Sequence, residues 1–198
     1  MGAIFQSLGR TITAGVVMLI VLLVILGAGT GNWIQAGTMG WWQFAMRWLH
    51  VASGVMWIGL LWYFNFVQTP SMPKIPDEQK PAISKVIAPA ALFWFRWAAM
   101  ATIVLGLILA GMNGYLGQAL SLQKPATAIG IGMWLGIIMW FNVWFIIWPN
   151  QKKALGIVQV APEEKAAAAK RAGMASRINT MLSIPMLYFM VAQSHGGV

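Results

Sequence analysis

Of 198 residues, 59% are hydrophobic and 9% charged, against about 25% charged in a soluble domain, so the chain is read as an integral membrane protein. The net charge of +9 comes from basic residues beside apolar runs, which points to topology and anionic headgroups and not to nucleic acid. No cysteine is present, which excludes disulfides, thiolate-held iron–sulfur clusters, zinc–thiolate sites and covalently attached c-type haem.

Residues 1–10 form a short lead ending in Arg10. Thr11–Ala28 is an uncharged apolar run, long enough at ~1.5 Å per residue to span a hydrocarbon core. It exceeds the roughly 7–15 residues of a signal-peptide core, so a retained helix is expected in place of a cleaved one. Gly29–Gly40 is a glycine-rich connection around Trp33. The second span, Trp41–Phe66, starts rich in tryptophan, as at a membrane–water interface, and carries Arg47 and His50 near one end.

Gln68–Lys85 holds Pro70, Pro73, Pro76 and Pro81. A loop is expected there, irregular in its first half and with a short surface helix after Pro81. The third span is Ala88–Tyr115, with Pro89 at its entry and a turn at Asn113 and Gly114. Leu116–Lys124 connects it to the fourth span, Pro125–Trp148, in which Gly132 and Gly136 permit close helix contact. Gln151–Gly173 is charged and alanine-rich, and Pro162, Glu163 and Glu164 mark a helix start. That helix is expected to run into a fifth span, Ala175–Gln193, kinked at Pro185, with His195 just past its end.

The expected fold class is therefore all-α, a polytopic membrane helix bundle with five transmembrane helices. An N-terminal helix and linker occupy residues 1–40, and a four-helix domain occupies residues 41–195. With the amino terminus inside, eleven basic residues fall on the inner side and only Arg47 and Lys124 on the outer. This asymmetry predicts a bacterial inner-membrane protein with a cytoplasmic amino terminus and a periplasmic carboxyl terminus.

An ionisable side chain in lipid costs roughly 2.5–3.5 kcal/mol on insertion scales, so it needs a task or a partner. Arg47, His50, Gly54, Trp57 and Leu61 are spaced three, four, three and four apart, which puts them on one helix face. An imidazole for iron, a glycine gap for a macrocycle and a cation for propionates together suit a b-type haem, with His50 as the metal ligand. A structural pair bonded to a neighbouring helix, or a site for copper or a quinone, are the alternatives. His195 is the candidate second axial ligand, with Met186 and Met190 as rivals and a plain exposed tail as the other reading. Arg96, Asn142, Asn179 and Ser183 are intramembrane polar groups expected to make interhelical hydrogen bonds. The four acids, Asp77, Glu78, Glu163 and Glu164, all fall in predicted loops, which argues against carboxylate acid–base catalysis within the membrane.

The stretches RWLHVASGVMWIGLLWYFNFVQ, FRWAAMATIVLG, WFNVWFIIWPNQKK and ASRINTMLSIPMLYFM resemble the membrane domain of the bacterial membrane-bound urate oxidases, the urate oxidase N-terminal domain family. The resemblance runs over about Trp41–His195. More loosely, the Arg-x-x-His helix is similar to membrane proteins of the copper-resistance D and HemJ-type protoporphyrinogen oxidase groups, and the latter imply a haem-bearing helix histidine. The family resemblance implies a membrane protein linked to purine oxidation and to electron transfer with a c-type cytochrome. Full-length members end in a cytochrome c domain, and a chain without cysteine holds no covalent haem. The expectation is thus membrane electron transfer or redox chemistry through haem b, with a cytochrome c or a respiratory or purine-catabolic membrane complex as partner. The alternative is a non-catalytic accessory or assembly subunit of a larger complex.

Overall fold

The computed structural model describes residues 2–197, which are helical and contain no strand. They fall into two units, one up to Phe44 and one from Ala45. In the first unit, α1 (Gly2–Phe5) precedes α2 (Leu8–Thr30), the expected first span extended by three residues at its start and two at its end. Gly31 ends α2 in the left-handed region at φ 74°, returning its amide to the Gly27 carbonyl. That reversal lays the Trp33 ring on Gly27, where a Cβ would stand 2.6 Å from the indole. Gly27 is the one buried residue of α2, so the rest of this apolar helix is left to an outside apolar medium.

The remaining helical stretches are α3 (Met39–Lys74), α4 (Lys80–Met112), the short α5 (Leu116–Leu120), α6 (Thr127–Ala154) and α7 (Pro162–His195). Four helices are long and apolar enough to cross a membrane: α2, α3, α4 and α6. The expected fifth span lies within α7, which is not among them. Its apolar length is interrupted by Arg177, Asn179, Thr180 and Ser183, of which Asn179 and Ser183 are fully buried against other helices. α7 therefore solvates Asn179 and Ser183 inside the bundle, while Arg177 stays exposed, and both lower the apolar signal that a lipid-facing helix would carry.

The expected loop from Gln68 is instead helix as far as Lys74, and the fourth span runs beyond Trp148 to Ala154. Prolines are carried in both places by the same device. The helix widens into a π-turn at Tyr63–Gln68, at Ile83–Ile87 and at Asn142–Ile147. The amides of Thr69, Ala88 and Trp148 reach back five residues to the carbonyls of Phe64, Ile83 and Val143. Each of these residues immediately precedes a proline: Pro70, Pro89 and Pro149. A proline in a regular helix loses a hydrogen bond and collides with the carbonyl four residues back. After a π-turn it sits in the first turn of a restarted helix, where it has no amide partner to lose.

The main core of the second unit joins Trp57 and Leu61 of α3, Leu92, Phe95 and Ala99 of α4, Met139, Val143 and Ile147 of α6, and Ala175 and Met186 of α7. Gly132 of α6 lies against α7, where an added Cβ would stand 3.2 Å from the Met190 amide nitrogen. Gly136 faces Ile103 of α4 at an ordinary 3.7 Å. The two glycines thus serve two different helix contacts. A smaller cluster of Ala110, Ala119, Ala126 and Met133 seats α5 against α4 and α6. Lys80 with Asp77 and Lys153 with Glu164, both at 2.6 Å, tie the connections outside the spans. The Lys80 ammonium holds the Asp77 carboxyl below its ordinary value, first by hydrogen bonding and then by charge.

Candidate functional site

The face of α3 carrying Arg47, His50, Gly54, Trp57 and Leu61 turns progressively inward. Arg47 is exposed, His50 and Gly54 are half-buried, and Trp57 and Leu61 are 1% and 0% exposed. The imidazole of His50 lies in a notch of α4. A Cβ added at Gly106 would stand 2.8 Å from His50 Cε1 and 3.0 Å from Nδ1. At its base, Nδ1 is 2.8 Å from the backbone oxygen of Thr102. Gly106 is four residues after Thr102, so its own amide uses the same carbonyl in the helical ladder. A carbonyl oxygen has two lone pairs and so accepts both bonds. The glycine clears the approach to the second.

This contact fixes the tautomer. A carbonyl only accepts, so Nδ1 must carry the proton, and a neutral His50 leaves its lone pair on Nε2. Nε2 has no hydrogen-bond partner among the described residues. A donated Nδ1–H to a backbone carbonyl with a free Nε2 is the arrangement that orients a metal-bound histidine. The neighbouring Gly54 packs toward α4, where an added Cβ would stand at an ordinary contact distance of 3.8 Å from Thr102 Cγ2. Nε2 is thus the one atom of this face that could hold a metal.

The other expected members are less gathered. Arg47 acts electrostatically on Tyr115, in the connection after α4, whose hydroxyl is raised above its ordinary value by burial and pulled back by the Arg47 cation. Trp57 belongs to the core, and its indole nitrogen is buried without a hydrogen-bond partner among the described residues. His195 is exposed, and its Nδ1 bonds the Val191 carbonyl of its own helix at 3.0 Å. The end of α7 is held instead to the start of α6 and the turn before it, where Gln193 donates to the Pro125 carbonyl at 2.9 Å and accepts from the Ile129 amide at 3.2 Å. No described contact brings His195 to His50.

The intramembrane polar groups behave in two ways. Asn142 Nδ2 donates to Asn179 Oδ1 at 2.8 Å, and Asn179 Nδ2 donates to the Met139 carbonyl at 2.9 Å. Trp62 Nε1 donates to Ser183 Oγ at 3.0 Å. These are interhelical bonds, as expected. Arg96 instead stacks its guanidinium on Trp148, 3.2 Å from the ring centroid, with Trp144 at 5.9 Å. A stack of this kind gives roughly 0.5–2 kcal/mol.

Sequence reasoning did not single out Thr102 or Gly106, although they form the seat of His50. The signal was present as a small residue four after a threonine in the third span, but the pairing with α3 is long-range. It also missed a largely apolar cavity of about 160 Å³ at the far end of the bundle, into whose lining Asn65, Gln68, Ser84, Gln151, Ser176 and Arg177 bring polar groups.

Comparison with known proteins finds a family match over part of the chain. Residues 115–198 match a family described as urate oxidase N-terminal, covering α5, α6 and α7. His50 lies outside that stretch. No curated protein and no solved structure matches the chain.

Proposed function

We propose, from the urate oxidase N-terminal pattern of residues 115–198 and from the seating of His50, that the chain is an integral membrane protein binding b-type haem and taking part in membrane electron transfer. The observation that carries this reading is the bond from His50 Nδ1 to the Thr102 carbonyl, which leaves Nε2 as an oriented ligand on an inward-facing helix. His50 would hold the iron, Gly54 would leave room for the ring edge, and Arg47 would sit at the outer end for a propionate. When bound, a haem supplies one-electron chemistry. The chain's own part is to fix the imidazole tautomer and its direction. His195 is left out of this set because it is exposed and bonded to its own helix. The partner is proposed to be a c-type cytochrome or a respiratory or purine-catabolic complex, in a bacterial inner membrane with the amino terminus cytoplasmic.

Full chain purified after expression with ample haem should show a Soret band. His50→Ala should abolish it, and His195→Ala should leave it in place. A spectrum without that band, or one unchanged by His50→Ala, overturns the reading. The second reading, a non-catalytic subunit of a larger complex, is favoured by one observation: Asp77, Glu78, Glu163 and Glu164 all lie outside the four spans. No carboxylate is then available within those spans to move protons. Gentle purification that returns this chain alone counts against it.

A further inference from the structure

We infer that the cavity at the basic end of the second unit is a binding site for a phosphate ester of a polyol, distinct from the His50 seat. The cavity, about 160 Å³, lies between α3, α4, α6 and α7. All three π-turns reach it: Phe64, Asn65 and Gln68 from the first, Ile83 and Ser84 from the second, and Ile147 from the third. Single π-turns in helices recur at functional sites, and here three from separate helices open on one space.

The chemistry of the lining is selective. The floor is apolar, with Leu92, Phe95 and Ile147 each at most 3% exposed. Of the polar groups, Asn65 and Ser176 satisfy each other at 2.8 Å, and Ser84 bonds the Lys80 carbonyl at 3.1 Å. Gln68 Oε1 is buried without a partner, and the side chains of Gln151 and Arg177 make no hydrogen bond among the described residues. A buried amide oxygen left unpaired costs roughly 1–3 kcal/mol, so an occupant that offers an O–H is favoured. The exposed Arg177 guanidinium stands at the rim, and no carboxylate lines the cavity. That combination suits an anion at the rim and hydroxyls inside. Arginine binds phosphate through paired charge-assisted bonds, and Gln68 and Gln151 receive the hydroxyls. The volume is below the roughly 300–1,000 Å³ of pockets for drug-sized ligands, so only a small group enters. A phosphatidylglycerol headgroup and free glycerol 3-phosphate share this chemistry.

The test uses the full chain in nanodiscs and reads binding by native mass spectrometry and by the shift in thermal unfolding. Two probes are compared: phosphatidylglycerol doped into phosphatidylcholine discs, and glycerol 3-phosphate added to discs of phosphatidylcholine alone. Either probe should bind, and which one binds identifies the source. Arg177→Gln should weaken binding about tenfold or more, as expected for loss of a charge-assisted bond. Arg171→Gln, an exposed charge two turns earlier on α7 and outside the lining, should leave it unchanged. Gln68→Leu should weaken binding while raising or preserving unfolding temperature without ligand. Gln151→Leu serves as a second variant should Gln68→Leu fold poorly. Failure of both probes to bind, or equal losses for Arg177→Gln and Arg171→Gln, overturns the proposal. None of these outcomes depends on a Soret band.

Discussion

At position 106 a single missing methyl decides where an imidazole goes. His50 Cε1 would lie 2.8 Å from a Cβ there, closer than carbon atoms tolerate, and the atom it meets belongs to a ring held by its own hydrogen bond. Gly106→Ala should therefore push the ring off the Thr102 carbonyl while adding helix propensity of about 1 kcal/mol. In the haem-loaded protein the expected result is a weakened or shifted Soret band with helical content unchanged by circular dichroism. An unaltered band would show that the seat does not govern ligation. Asn179 makes a comparable case in the core. It is 0% exposed and bonds both Asn142 and the Met139 carbonyl. Asn179→Leu leaves those groups without their partner, so a loss of about 1–3 kcal/mol is expected on unfolding in detergent. Asn179→Asp should cost more, because it would bury a charge.

Among the elements, the proline-bearing helices show best what a sequence tells and what it withholds. The positions of Pro70, Pro89 and Pro149 were plain, and so was the loss of regular helix near them. What they did not reveal was that α3 and α6 absorb the break and continue. A break and a π-turn begin from the same steric conflict, and the choice depends on whether neighbouring helices fill the widened turn. Pro149→Ala measures this. A proline in regular helix costs about 3 kcal/mol, so a stabilisation well below that is expected on unfolding in detergent. A gain near the full amount would mean that the π-turn at Asn142–Ile147 relieves nothing. The apolar spans α2, α3, α4 and α6 were legible because run length is local. That Arg47, His50, Gly54, Trp57 and Leu61 share one helix face was legible because helical spacing is local too. The partners of His50 were not, since Thr102 is 52 residues away. The separation of His195 from His50 was equally hidden, because both readings placed it near a helix end.

For the molecule as a whole, α7 decides the topology. Its hydropathy is lowered by exposed charges toward its start and also by Asn179 and Ser183, which are buried and so reflect packing and not contact with water. If α7 crosses with the four apolar spans, the termini lie on opposite sides. The chain has no cysteine, so single cysteines introduced at Gln6 and Ser194 can be labelled by an impermeant maleimide without background. Opposite-side labelling in intact cells and inverted vesicles is expected, with Gln6→Cys reached from the cytoplasm. Labelling from one side would place α7 as a helix packed among the spans without crossing.

The shared acceptor at Thr102 has a practical use. The amide of Gly106 and the ring of His50 draw on one oxygen, so whatever electron density the ring gains or loses must be felt by that amide. Its deuterium exchange rate, or its nitrogen resonance, becomes a built-in gauge on the opposite helix. Proton uptake, metal capture or simple departure of the ring would each move that signal in its own way, without any probe touching the histidine.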